Sequence, residues 1–215
     1  MSRLDRAARI FLPAIFAMAA SLTLHAEPTT FASGGKRSLV HYFDSTVPTL
    51  AENTPPTRNG SASLRIGTKY ASDADIRRNF ATWLQTLDDA TAHVSDRPGV
   101  DSRRIGFFGY SLGGYLAVAR AADDPRIGAV VELAGGIDPG YASKVRRLPP
   151  LLILHGTRDQ RVAPTEAEAL EQLARRIGSP SEKKLFDGEG HILSGGAFVD
   201  VFARGTAFFR KHLAR

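Results

Sequence analysis

The stretch Ile105–Ala122, IGFFGYSLGGYLAVARAA, passes from an apolar strand pattern into a helical one with no linker between them. The turn is Gly109-Tyr110-Ser111-Leu112-Gly113. A strand that enters a helix this abruptly must leave the sheet and cross its face. That is the first half of a βαβ crossover, and it restricts the chain to helices packed on a mainly parallel sheet. The same turn sets a serine at the end of a strand. The pattern G-x-S-x-G is short, so its meaning depends on what the rest of the chain supplies.

The alternation continues along the chain. Ser38–Phe43 (SLVHYF) reads as a strand stopped by Asp44-Ser45. Residues 27–37 are polar and read as a loop. Residues 46–71 hold Pro48, Pro55, Pro56, Gly60 and Gly67 and read as a long irregular segment. From Asp73 a helix is predicted, because Ile76, Phe80, Trp83, Leu84 and Leu87 recur at helical spacing. Residues 96–101 (DRPGVD) form a turn. Strands are predicted at 105–108, 129–133, 151–154 and 184–186, and helices at 112–122, 165–177 and 198–212. The 165–177 helix has Glu166, Glu168 and Glu171 early and Arg175-Arg176 late, matching the helix dipole, and Gly178 stops it. The class is therefore α/β, and ligands of such sheets gather at the carboxyl ends of the strands.

The N-terminus differs in kind. Arg3, Arg6 and Arg9 precede an uncharged stretch from Ile10 to Leu24, and Leu24-His25-Ala26 ends on a small residue. This is the pattern of a secretory signal peptide over residues 1–26, cut after Ala26. The stretch is shorter than the roughly 20 apolar residues a membrane span needs. The expectation is a periplasmic or secreted protein with no stable membrane insertion after cleavage. Residues 27–215 then read as one α/β domain.

Composition removes other classes. The chain has 215 residues and no cysteine, so thiolate catalysis, thiolate metal sites and disulfides are excluded. The formal net charge is +6, but the basic pairs Arg103-Arg104, Arg146-Arg147, Arg175-Arg176 and Lys183-Lys184 are scattered. A nucleic-acid footprint needs clustered charge, so no nucleic-acid partner is expected.

A serine hydroxyl needs a base within hydrogen-bond reach, and the base needs an orienting acid. Asp159 follows the 151–154 strand in LLILHGTRD and is the candidate acid. His191 lies in the Gly-rich loop Asp187-Gly-Glu-Gly-His191 and is the candidate base. Asp187 is the second-choice acid, close to His191 in sequence, and His155, which directly follows an apolar run, reads as structural. The order Ser111, Asp159, His191 is the order of α/β-hydrolase triads. No metal or organic cofactor is required by this chemistry. Tyr110 and Tyr115 flank the serine and are candidate substrate contacts.

The segments PGVDSRRIGFFGYSLGGYLA, LPPLLILHGTRDQRVAP and FDGEGH together resemble the dienelactone hydrolase family of α/β-hydrolases, and HYFDST and the Trp83 helix resemble it too. The likeness extends over residues 39–213. It implies an α/β-hydrolase-like fold with Ser111 as nucleophile, Asp159 as acid and His191 as base. The original dienelactone hydrolases use cysteine as nucleophile, so a dienelactone substrate is not implied here. The resemblance departs at the front. Family members carry a strand, a His-Gly loop and a helix before the strand that SLVHYF resembles, and that loop gives the second oxyanion N–H. The only His-Gly pair here is His155-Gly156, in the acid segment. One N-terminal βα unit is therefore expected to be missing, with the Leu112 N–H as the oxyanion donor. SLVHYF is a candidate to take the vacant strand position.

Two functional expectations follow. One is a serine hydrolase acting on a small-molecule carboxylic ester or similar acyl substrate through an acyl-enzyme. The other is a catalytically weak or inactive binding protein on a truncated version of the fold.

Overall fold

The computed structural model describes residues 25–33, 36–45, 59–63, 73–97 and 100–213. The expected leader lies outside the described residues, apart from His25 and Ala26. Contacts divide the chain into two compact units, Met1–Leu64 with Asp89–Val100 and Arg65–Asp88 with Asp101–Arg215.

The first unit holds a three-stranded antiparallel sheet in the order β1-β2-β3, with β1 at His25–Ser33, β2 at Lys36–Ser45 and β3 at Asn59–Ser63. Three sequence expectations are corrected here. Residues 27–33 are strand rather than loop, because Thr29, Thr30 and Phe31 favour extended backbone. Ser33 and Lys36 are register partners at one end of the β1–β2 pair. The segment 46–71 contains β3. SLVHYF does form a strand, but its two hydrogen-bonding edges go to β1 and β3, so it does not join the parallel sheet.

The second unit contains the parallel sheet, in the sequential order β4-β5-β6-β7. Its strands are β4 Ile105–Tyr110, β5 Ile127–Leu133, β6 Leu151–Gly156 and β7 Ser181–Phe186. All three pairings are parallel. Helix α1 (Asp73–Ser95) precedes β4, α2 (Leu112–Asp123) follows it, and the short α3 (Pro139–Ala142) follows β5. Helix α4 (Pro164–Arg176) joins β6 to β7, and α5 (Gly195–Leu213) follows β7. The sequence reading had no α3, which Asp138 caps by accepting from the Gly140 and Tyr141 N–H groups.

Period-two alternation sorts the apolar residues of β5 and β6 to opposite faces. Val130, Leu151 and Ile153 pack with Ala117, Val118 and Ala121 of α2 and with Ala167, Leu170 and Leu173 of α4. Ala129, Val131, Leu133, Leu152 and Leu154 pack against Val201 and Phe208 of α5. Both faces are covered, which is why these strands read as continuous apolar runs. Leu84 of α1 packs on Leu116 and Ala119 of α2. Among the described residues no helix is long and apolar enough to cross a membrane.

Candidate active site

The β4–α2 turn is built by glycines of unequal importance. A Cβ at Gly109 would collide with the Gly113 carbonyl and stand 2.7 Å from the Gly114 Cα. A Cβ at Gly114 would meet the Glu132 Oε1 at 3.0 Å. Gly113, by contrast, has open space where a side chain would go. The pattern G-x-S-x-G marks Gly109 and Gly113, whereas the tight positions are 109 and 114. Ser111 itself has φ 56° and ψ −123°, in the left-handed half of backbone space that a non-glycine residue occupies at a cost of about 1–3 kcal/mol. Its N–H donates to the Leu133 carbonyl at 2.8 Å, and the Gly114 N–H donates to its carbonyl at 2.8 Å. These bonds hold the strained turn against the end of β5. Leu112 is the first residue of α2, and first-turn N–H groups have no partner within a helix, so its N–H is available to an oxyanion.

Ser111 Oγ lies 3.0 Å from His191 Nε2, and His191 Nδ1 lies 2.8 Å from Asp159 Oδ2. The three residues come from the C-terminal ends of β4, β6 and β7. Asp159 is buried, and its other oxygen accepts the Arg161 N–H at 2.8 Å and the Val162 N–H at 3.0 Å. Burial pushes its pKa up, but the Val162 N–H, His191 and the Arg161 N–H outweigh it, and the net shift is downward. The carboxylate is therefore held ionised beside the imidazole. Asp187 instead accepts from the Thr157 hydroxyl at 3.2 Å.

The loop carrying His191 is fastened along its length. The Gly188 N–H donates to Thr157 Oγ1 at 2.9 Å, and the Arg158 N–H donates to the Glu189 carbonyl at 2.8 Å. The Glu189 carboxylate accepts the Ser194 N–H at 2.7 Å and its hydroxyl at 2.5 Å. A Cβ at Gly156 would stand 2.6 Å from the Gly190 carbonyl, so a glycine at the end of β6 lets this loop approach.

Tyr110 and Tyr115 are placed differently from each other. The Tyr110 hydroxyl donates to the His191 carbonyl at 2.9 Å, and its ring centroid is 5.2 Å from that of the imidazole. The Tyr115 ring lies toward Gly136 and Glu166 on α4. Burial raises its pKa, followed by the charge of Glu166 and a hydrogen bond to it.

Glu132 was missed in the sequence, although a lone carboxylate inside the apolar run AVVEL was a signal. It is fully buried at the end of β5, and its Oε1 accepts the Gly135 N–H. Burial pushes its pKa up to about 8, partly opposed by that N–H and reinforced by Glu166. The carboxyl is neutral over most of the physiological range. Ala134, two residues on, is the other described non-glycine with positive φ, at 52°.

The model of the dienelactone hydrolase family matches residues 63–196. A carboxymethylenebutenolidase of Rhodococcus opacus is 27% identical over 150 residues, which cover 60% of this chain and 57% of that protein. A 20-hydroxy-prefusarin hydrolase of Gibberella moniliformis is 36% identical over 83 residues, covering 39% of this chain and 17% of the other. The chain thus matches only part of the length of these relatives. The solved structure of a dienelactone hydrolase-like promiscuous phosphotriesterase from metagenomic libraries superposes with a TM-score of 0.70 at 14% identity, covering 89% of this chain and 99% of that one. The fold is that of the α/β-hydrolases, and the chain belongs to the dienelactone hydrolase family.

Proposed function

We propose that this family member is a serine hydrolase that cleaves a carboxylic ester or similar acyl substrate through an acyl-enzyme. The observation that carries the reading is the continuous relay from Ser111 Oγ to His191 at 3.0 Å and from His191 to Asp159 at 2.8 Å, mounted on a strained turn. Ser111 Oγ bonds to the substrate carbonyl carbon as its proton passes to His191 Nε2. The carbonyl oxygen takes the negative charge beside the Leu112 N–H. Collapse of the adduct breaks the bond to the alcohol, which leaves with the proton from His191. Water then adds to the acyl-serine with its proton going to His191, and the proton returns to Ser111 as the carboxylic acid departs. Asp159 keeps Nδ1 protonated and Nε2 free to accept. This relay weighs against a binding-only role. Export remains part of the proposal and rests on residues 1–26 alone.

A fluorophosphonate probe tests the reading. The folded protein is expected to be labelled at Ser111 and to hydrolyse short p-nitrophenyl esters, with both signals lost in Ser111→Ala. A folded protein that neither labels nor turns over such esters overturns it.

A further inference from the structure

Two histidines, not one, converge on Asp159. His155 is the next-to-last residue of β6 and is fully buried. Its Nε2 lies 2.9 Å from the Val162 carbonyl and 3.4 Å from Asp159 Oδ2, the oxygen that also meets His191 Nδ1. Its Nδ1 is buried and meets no hydrogen-bond partner. Only a donor can face a carbonyl, so in the neutral ring the proton sits on Nε2 and Nδ1 is bare. Val162 is therefore held through both of its backbone groups. Its N–H goes to Asp159 Oδ1 and its carbonyl takes the His155 Nε2–H. The turn from Asp159 to Val162 is thus tied to the carboxylate at one backbone group and to the His155 ring at the other.

A side chain kept only to fill space here would do so better as Leu or Phe, because a bare buried nitrogen loses its water and gains nothing. What the imidazole supplies and an apolar side chain cannot is the Nε2–H. We propose that His155 is a positioning residue, which uses that N–H to fix the Val162 carbonyl and set the direction in which Asp159 presents Oδ2 to His191. The inference rests on the serine-hydrolase reading for its effect on rate, but not for its structural content. His155 touches no reacting atom; it acts through Asp159.

Full-length His155→Phe, which fills the site without a donor, and His155→Gln, which carries an N–H at a similar reach, separate the possibilities. Nitrogen-15 NMR of the wild type is expected to show His155 protonated at Nε2 and bare at Nδ1. The low-field proton of His191 Nδ1 is expected to shift in His155→Phe and to hold its position in His155→Gln. In ester hydrolysis kcat falls by about 10- to 100-fold in His155→Phe with KM little changed, the size expected for a misplaced relay. His155→Gln recovers most of that loss. An Nδ1-protonated His155 overturns the proposal. So does a folded His155→Phe with an unmoved His191 proton, or equal loss in both variants. If His155→Phe does not fold, the wild-type tautomer and the Gln variant decide. A wild type without esterase activity refutes the hydrolase reading, while the NMR measurements still decide the role of His155.

Discussion

The hydroxyl of Tyr110 donates to the backbone carbonyl of His191 at 2.9 Å. The residue before Ser111 thus restrains the loop that carries His191, across 81 positions of sequence. Tyr110→Phe removes the hydroxyl and keeps the ring against the imidazole. A single partly exposed hydrogen bond contributes about 0.5–1.5 kcal/mol, so stability should fall by no more than that. On the proposed mechanism the effect should appear in kcat rather than KM, because the bond orients His191. Steady-state kinetics with a short ester, beside a thermal melt, measures both.

The two candidate acids can be separated by charge removal. Asp159→Asn can no longer hold His191 in the tautomer that accepts from serine, and kcat should fall by about 10⁴. Asp187→Asn affects only the bond from the Thr157 hydroxyl and should change kcat by less than about threefold, in keeping with a surface polar contact. Comparable losses in both variants would reassign the acid.

Glu132 predicts a slope of stability with pH. Its carboxyl has an ordinary value of 4.5 and is pushed up to about 8 in the folded protein, mainly by burial. Between those values the folded state binds the proton that the unfolded chain has released. The contribution is present in full below about pH 4.5 and is lost as pH rises through about 8, a change on the order of a few kcal/mol. Glu132→Gln keeps an acceptor for the Gly135 N–H but does not titrate. Its melting temperature should vary less between pH 5 and pH 8.5 than that of the parent. Parallel curves would remove Glu132 as the source.

The glycines of the elbow should respond unequally. Gly109→Ala drives a methyl group into the backbone at Gly113 and Gly114, which cannot move without moving the serine. A loss of about 3 kcal/mol or more is expected, with activity falling alongside. Gly113→Ala meets open space at the start of α2 and should be neutral or stabilising by up to about 1 kcal/mol. Chemical denaturation of both variants gives the comparison.

The parallel sheet was legible because β5 and β6 are buried on both faces and so write unbroken apolar runs into the sequence. Asp159 was legible because it follows the apolar run of β6, and Ser111 and His191 because glycine-marked turns, GYSLG after β4 and GEGH after β7, set each of them past the end of a strand. The antiparallel pair of β1 and β2 was not, because its strands carry many polar residues. Glu132 and the second contact of His155 were hidden for another reason. The burial of Glu132 depends on which strand ends become neighbours, as when it stands beside Gly109 in the β4–β5 register, and the contacts of His155 depend on how the chain after β6 turns back on it. The unequal demands on Gly109 and Gly113 were not legible, because the motif gives their spacing but not which of them faces backbone.

The φ of 56° at Ser111 implies a conflict between folding and chemistry at one position. Glycine would occupy that backbone without penalty, so Ser111→Gly is expected to melt higher than the parent by an amount worth about 1 kcal/mol, while losing the hydroxyl. Selection for robustness alone would move the chain toward glycine at this site. On the proposed function, retention of serine under mutational drift is therefore a measure of how strongly hydrolysis is demanded of the chain.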